Sequence, residues 1–316
     1  MANLKKEILS FAQVRLLILS FYEKGQYQAG LDAISKHFGH YPEQEVNISY
    51  WRLCLLSKLG KTREAVTFLQ ECITKGYWWS AENLKADDDL ASLQTDPDFQ
   101  KMLEICQTKQ EEAQRIAQPK RFTLFPEHLS PNDTAPLLLC LHGRSSNATS
   151  FIEYWQQATQ AGWIVAMLGS SQVIGYDTFC WDNKDLAEME IRSHLRELND
   201  QYSIDPNRIA IAGFSQGGGM AVRAAITSVI PAAGFLAIAP ALVDFDILQA
   251  GLSSGVRVRG AVLAGDLDKR WADTARRITA LMAEAGFPCE TNVYPDLGHD
   301  FPPDFSDRLT AFLKAI

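Results

Sequence analysis

Ile209-Ala-Ile-Ala-Gly213-Phe214-Ser215-Gln216-Gly217-Gly218-Gly219-Met220 is the stretch whose reading decides the fold. An apolar run with two isoleucines leads in, a serine between glycines stands at the apex, and small residues lead out (Met220, Ala221, Val222, Ala224, Ala225). Taken in order this is a buried strand, a sharp turn and a helix, the G-x-S-x-G pattern of a nucleophile elbow. A serine at such a turn is held in a strained backbone conformation that pushes its hydroxyl outward. Gly213 and Gly217 leave room for close strand and helix neighbours. The positive end of the following helix faces any oxyanion formed at the serine.

Outward from this elbow, the chain from about residue 120 alternates short apolar strands with helices. Leu137-Leu-Leu-Cys-Leu141 is apolar throughout, as a parallel strand covered on both faces should be. Ile164–Leu168, Ile209–Ala212, Phe235–Ala239 and Ala261–Ala264 repeat the pattern, and Cys289–Tyr294 reads as the last strand. Between them, Ile191, Leu195, Leu198 and Tyr202 fall on one helical face, as do Ala275, Ile278 and Met282. The alternation predicts a parallel sheet with helices on both faces, and ligands bind beyond the carboxyl ends of such strands. Pro131–Pro136 reads as a turn inside this domain.

Residues 1–118 read instead as helix after helix. Gly25-Gln-Tyr-Gln-Ala-Gly30-Leu31 and Gly60-Lys-Thr-Arg-Glu-Ala65-Val66 echo each other 35 residues apart, each with a helix-ending glycine and a small residue where two helices meet closely. With Tyr22, Tyr27 and Pro42 in the first unit and Trp51, Leu55 and Leu59 in the second, this half resembles tetratricopeptide repeats. Gly76–Phe99 resembles the closing segment after such repeats. Two repeats are fewer than the roughly three needed to bury a core alone. The helical half is therefore expected to lean on the second domain or on another chain, leaving protein or self-association open. Pro119-Lys-Arg breaks the polar helix end at 109–118, so the expected domains are 1–118 and 119–316.

The chain has 316 residues, an apolar fraction of 47% and a formal charge of −8 without a basic stripe, which argues against nucleic acid as a partner. Six scattered cysteines without a C-x-x-C pair suit reduced thiols of a cytoplasmic protein and exclude a zinc-ribbon pattern. Lys5 and Lys6 precede an apolar stretch interrupted by Arg15, and Leu16-Leu-Ile-Leu19 is too short for a membrane span.

A serine hydroxyl needs a base, an orienter for the base and donors for the oxyanion. His299 is the one histidine after Ser215 and follows the last strand, so it is the expected base. The acid should follow the strand Ala261–Ala264, where Asp266 and Asp268 compete. Asp268 is preferred because the loop must swing its acid away from the strand end. Oxyanion donors are expected from the N–H groups of Gln216 and, on the loop Leu141-His142-Gly143-Arg144, of Arg144. His142 is expected to brace that loop. Ser170–Asn183, with Val173, Ile174, Tyr176, Phe179 and Trp181, is expected to wall the acyl site, with Phe301 beside the base.

These residues together resemble the carboxylesterase/phospholipase-type α/β-hydrolases, the group that includes acyl-protein thioesterases. The matching positions are L-H-G at 141–143, Trp181, Tyr202-Ser-Ile-Asp205-Pro-Asn-Arg208, Gly213–Gly218, G-x-x-D at 265–268 and Gly298-His299, across nearly all of 120–316. The resemblance implies a small α/β-hydrolase without a large lid, acting as a serine esterase on carboxylic esters or thioesters, with a catalytic triad, an acyl-enzyme intermediate and no cofactor or metal. Trp181 and Phe301 would then be substrate-binding. Arg-Ser-Ser-Asn at 144–147 departs from the further glycines of many relatives, and Arg144 either faces an anionic substrate or points to solvent. Peptide or lactone hydrolysis on the same fold is one alternative. A peptide-binding scaffold with a vestigial hydrolase domain is another.

Overall fold

The computed structural model describes residues 9, 11–130, 133–241 and 243–316. Lys5 and Lys6 lie outside them, as do Pro131 and Asn132 of the expected turn. The chain divides into two compact units, one of residues 1–115 with 174–176 and one of 116–173 with 177–316.

The first unit is helical. Helices α1 (Phe11–Glu23), α2 (Tyr27–His37), α3 (Glu45–Lys58) and α4 (Thr62–Thr74) are followed by a short α5 (Ala81–Ala86) and by α6 (Pro97–Ile116). Gly25 and Gly60 leave α1 and α3 at φ of +68° and +70°, a left-handed backbone that favours glycine. A Cβ on Gly30 would lie 3.1 Å from a Leu55 methyl, so α2 and α3 approach closely where the side chain is missing. Ala65 on α4 is fully buried. Leu84, Leu90, Leu93 and Phe99 fill the core of the closing stretch, and the Asp96 carboxylate caps α6 by accepting from the Asp98 and Phe99 amides.

The second unit is built on a sheet. Its strands are β1 (Lys120–Leu124), β2 (Ala135–Leu141), β3 (Ile164–Gly169), β6 (Ile204–Phe214), β7 (Gly234–Ile238), β8 (Arg259–Gly265) and β9 (Cys289–Tyr294), in spatial order β1-β3-β2-β6-β7-β8-β9. Every pairing is parallel except β1 with β3. β4 (Gln172–Gly175), which runs into the 174–176 stretch grouped with the first unit, and β5 (Thr178–Cys180) form a separate two-stranded sheet. The helices are α7 (Ile152–Trp155), α8 (Lys184–Gln201), α9 (Gln216–Ile226), α10 (Phe245–Ser253), α11 (Lys269–Glu284) and α12 (Phe305–Lys314).

Period-two alternation splits the core into two layers. On β2, Leu137, Leu139 and Leu141 join Ile191 and Leu198 of α8, Met220–Val222 of α9, Leu248 of α10 and Ile278 of α11. Leu138 and Cys140 point the other way, to Trp155 of α7 and Leu309 of α12. Each fully buried leucine contributes about 2–3 kcal/mol of transfer free energy, which is why these strands are apolar along their whole length. The fold is therefore the expected one, a mostly parallel sheet covered on both faces, with a helical region before it.

Three details differ from the sequence reading. β2 begins at Ala135, so the end of the expected 131–136 turn is already strand. Tyr202 lies just past α8 in extended backbone rather than on its face. β7 stops at Ile238, because Ala239 turns to φ +45°.

Candidate active site

β6 delivers Ser215 into the connection with α9 at φ +53° and ψ −119°. A non-glycine residue there stores roughly 1–3 kcal/mol of strain and stays only where its surroundings hold it. They do so here: Ser215 N–H donates to Ile238 O at 2.8 Å, and Ser215 O accepts from Gly219 at 3.0 Å and Ala241 at 2.9 Å. A Cβ on Gly213 would sit 2.4 Å from Gly217 C, and one on Gly217 would sit 2.4 Å from His142 O and 2.5 Å from Leu141 O. All these are backbone atoms, so neither position admits a side chain. Gly217→Ala is expected to cost roughly 3 kcal/mol, by overpacking against a rigid strand end. Gly39→Ala, with nothing within 4 Å of its Cβ, should change stability by less than about 0.5 kcal/mol. Urea unfolding midpoints measure both.

The structure brings His299 and Asp268 together. His299 Nδ1 lies 2.5 Å from Asp268 Oδ2. A carboxylate only accepts, so Nδ1 carries the hydrogen, and in the neutral form of the ring Nε2 holds the lone pair. The His299 ring packs 4.8 Å from the ring of Phe214, the neighbour of Ser215 in the chain. Among the described residues no hydrogen bond joins the Ser215 hydroxyl to His299. Catalytic hydrogen bonds are often long before substrate arrives. Asp266 is exposed, and its N–H bonds Tyr294 O at 2.9 Å. Phe301 is buried in an aromatic cluster, stacked at 3.9 Å on Tyr154 and at 5.1 Å on Phe214.

The loop after β2 is tied down on several sides. Ser145, at φ +60°, donates its N–H to Phe179 O, and Phe179 N–H returns a bond to Ser146 O. His142 Nδ1 lies 2.7 Å from Gly143 O, and Nε2 accepts from Ser170 N–H at 3.3 Å. These two partners fix a neutral ring protonated at Nδ1. Burial pushes the imidazole down to about 4. The Ser170–Ser171 turn is anchored by the buried Glu190 carboxylate, which accepts from the Ser171 hydroxyl and amide. Burial raises the Glu190 carboxyl against these hydrogen bonds.

His142 gives stability a pH dependence. The unfolded chain binds a proton at this ring below about pH 6.5, and the folded protein does not until about pH 4. Stability is therefore complete above pH 6.5 and falls as pH drops through that window, by roughly 3 kcal/mol. His142→Gln should flatten this part of the acid branch in melts taken between pH 7.5 and pH 4.5. An unchanged slope would mean that other groups carry it.

Trp181 is buried. Its indole N–H donates to His142 O, and its amide donates to the Gln216 side-chain oxygen, each at 2.9 Å. Gln216 heads α9, so its backbone N–H is among the first amides of a helix, which have no intrahelical partner. The Arg144 guanidinium lies 3.3 Å from the Asp182 carboxylate. No sequence pattern marks Asp182 or the Gln216 side chain. The one signal is adjacency, since Asp182 follows Trp181.

All six cysteines are free, and five are buried. Cys54, Asp87 and Asp89 of the helical unit bring three ligand atoms within 4.8 Å of one another. Their carboxylates already take Tyr50 OH at 2.6 Å, Tyr22 OH at 2.5 Å and Lys58 at 3.5 Å, which describes a satisfied polar cluster. No helix among the described residues is long and apolar enough to cross a membrane.

Residues 184–316 match the phospholipase/carboxylesterase family, and residues 12–114 match the N-terminal domain of α/β-hydrolase-like proteins. The chain therefore has an α/β-hydrolase fold whose second half is similar to the phospholipase/carboxylesterase family, with a helical region before it that is similar to the N-terminal domain of such proteins. A crystal structure of an uncharacterized protein from Bacillus cereus ATCC 10987 is similar over 98% of this chain and 99% of its own, at 24% identity and TM-score 0.55. The esterase PE8 is similar over 63% of this chain and 100% of its own, at 20% identity and TM-score 0.54. At these identities both speak to the fold. The poly(3-hydroxybutyrate) depolymerase of Ralstonia pickettii is 28% identical over 109 residues, 29% of this chain and 22% of that one. The chain thus matches only about a fifth of the depolymerase's length.

Proposed function

We propose that this protein is a serine esterase that cleaves carboxylic esters or thioesters through an acyl-enzyme. Ser215 Oγ attacks the acyl carbon while His299 Nε2 takes its proton. Asp268 holds the resulting imidazolium through Nδ1–H. The N–H groups of Gln216 and Arg144 receive the oxyanion, and His299 returns the proton to the leaving group. Water then repeats the sequence on the acyl-Ser215 ester. Phe301 forms part of the wall beside the base, and Trp181 acts on the site by fastening the loop after β2.

The observation that carries the reading is the His299–Asp268 pair at 2.5 Å, with the imidazole packed on Phe214 at the residue before a backbone-strained serine. In the same reading, residues 1–118 form a tetratricopeptide-like domain for protein or self-association, and 119–316 form the catalytic domain. The reduced cysteines suit the cytoplasm. The test is reaction with a fluorophosphonate probe. Labelling is expected at Ser215, absent in Ser215→Ala and greatly slowed in His299→Ala. Label on the Ser215→Ala protein would assign the nucleophile elsewhere.

A further inference from the structure

The two amides assigned to the oxyanion sit on different loops, one after β2 and one at the head of α9. A third segment, Trp181-Asp182, touches both. Trp181 fastens His142 O and the Gln216 side-chain oxygen. Asp182 continues the same line: Oδ1 accepts from Gln216 Nε2 at 2.6 Å, and Oδ2 faces the Arg144 guanidinium at 3.3 Å. Gln216 is only 1% exposed, so its amide has almost no access to water, and both of its ends are occupied by this dipeptide. Its orientation is settled, since a backbone N–H can meet only the oxygen and a carboxylate only the nitrogen.

We infer that Asp182 is a positioning residue for the reaction. Its carboxylate holds Gln216, and with it the start of α9, in register with the Arg144 loop, so that both N–H groups converge on one point. This rests on the oxyanion assignment made above. The two arms differ in weight. The Gln216 arm is a short charge-assisted hydrogen bond to a buried amide. The Arg144 arm joins side chains that are 35% and 47% exposed and is screened by water. The Gln216 arm therefore does most of the positioning, and a neutral acceptor at 182 should preserve most of the effect. An oxyanion donor is worth about 10²–10³ in kcat, and displacement of a reacting group by about 1 Å costs about 10². Loss of a positioner should fall below both.

The test uses the full chain, with p-nitrophenyl acetate as substrate and rates expressed per fluorophosphonate-titrated site, so that unfolded protein is not counted. Asp182→Ala is expected to lower kcat about tenfold with KM within about twofold. Asp182→Ser, a second truncation that keeps a polar surface group, should match it. Asp182→Asn keeps an acceptor for Gln216 Nε2 and should stay within about threefold of wild type. In a double-mutant cycle, Asp182→Ala should add little to the loss already caused by Gln216→Ala. Wild-type kcat in both truncations, equal losses in the Ala and Asn variants, or additive losses in the cycle would each overturn the inference. If wild-type Ser215 takes no label, the nucleophile assignment fails and this inference falls with it. If Ser215 is labelled and the Asp182 variants behave as wild type, this inference alone fails.

Discussion

Ser215→Ala is expected to lower kcat/KM for a p-nitrophenyl ester by about 10⁶ while leaving the melting temperature unchanged or raised. The size follows from how such a site divides its labour. Base and orienter have nothing to act on without the hydroxyl, so removing the serine alone costs about as much as removing the whole set. What remains is the oxyanion amides and binding, worth roughly 10³–10⁴ over water. The stability half of the expectation follows from the backbone. Ser215 is held at φ +53° by hydrogen bonds that its own amide donates and its carbonyl accepts, which alanine keeps. A residual rate above about 1% of wild type would assign the chemistry to another group.

Asp268→Asn is expected to lower kcat about 10⁴-fold, and Asp266→Asn less than about tenfold. The asparagine can turn its NH₂ toward Nδ1, which favours the wrong tautomer of His299 and leaves the imidazolium without a counter-charge. Asp268 is mostly buried, with its side chain 16% exposed, so water replaces little of what is lost. Asp266 is exposed, and the bond that fixes its position uses its backbone amide, which the substitution leaves in place. Steady-state kinetics between pH 6 and pH 9 separate the two variants. A larger loss for Asp266→Asn than for Asp268→Asn would reverse the assignment.

The central strands were legible because burial on both faces leaves no choice of residue. Leu137–Leu141, Ile164–Leu168 and Ile209–Ala212 are apolar at every position, and each lies inside an observed strand. β1 is not legible in the sequence. Lys120-Arg-Phe-Thr-Leu124 is an edge strand paired on one side, with Phe122 42% exposed, and it carries no continuous apolar signal. β4 and β5, four and three residues long, are too short for any periodicity to register. In the candidate site, chain order singles out His299, and the swing of the loop after β8 favours Asp268. Those arguments use position along one strand or one loop. The Asp182–Gln216 contact spans 34 residues and depends on how three loops stack, which no spacing rule encodes.

The left-handed serine sets fold and function against each other at one residue. Glycine at 215 would relieve the twist that every other side chain must bear there, yet it would remove the hydroxyl. With Ser215 as the proposed nucleophile, selection for heat resistance and selection for turnover pull this position in opposite directions. Any lineage that hardens the protein while keeping a serine at 215 must find the compensating stability elsewhere in the molecule.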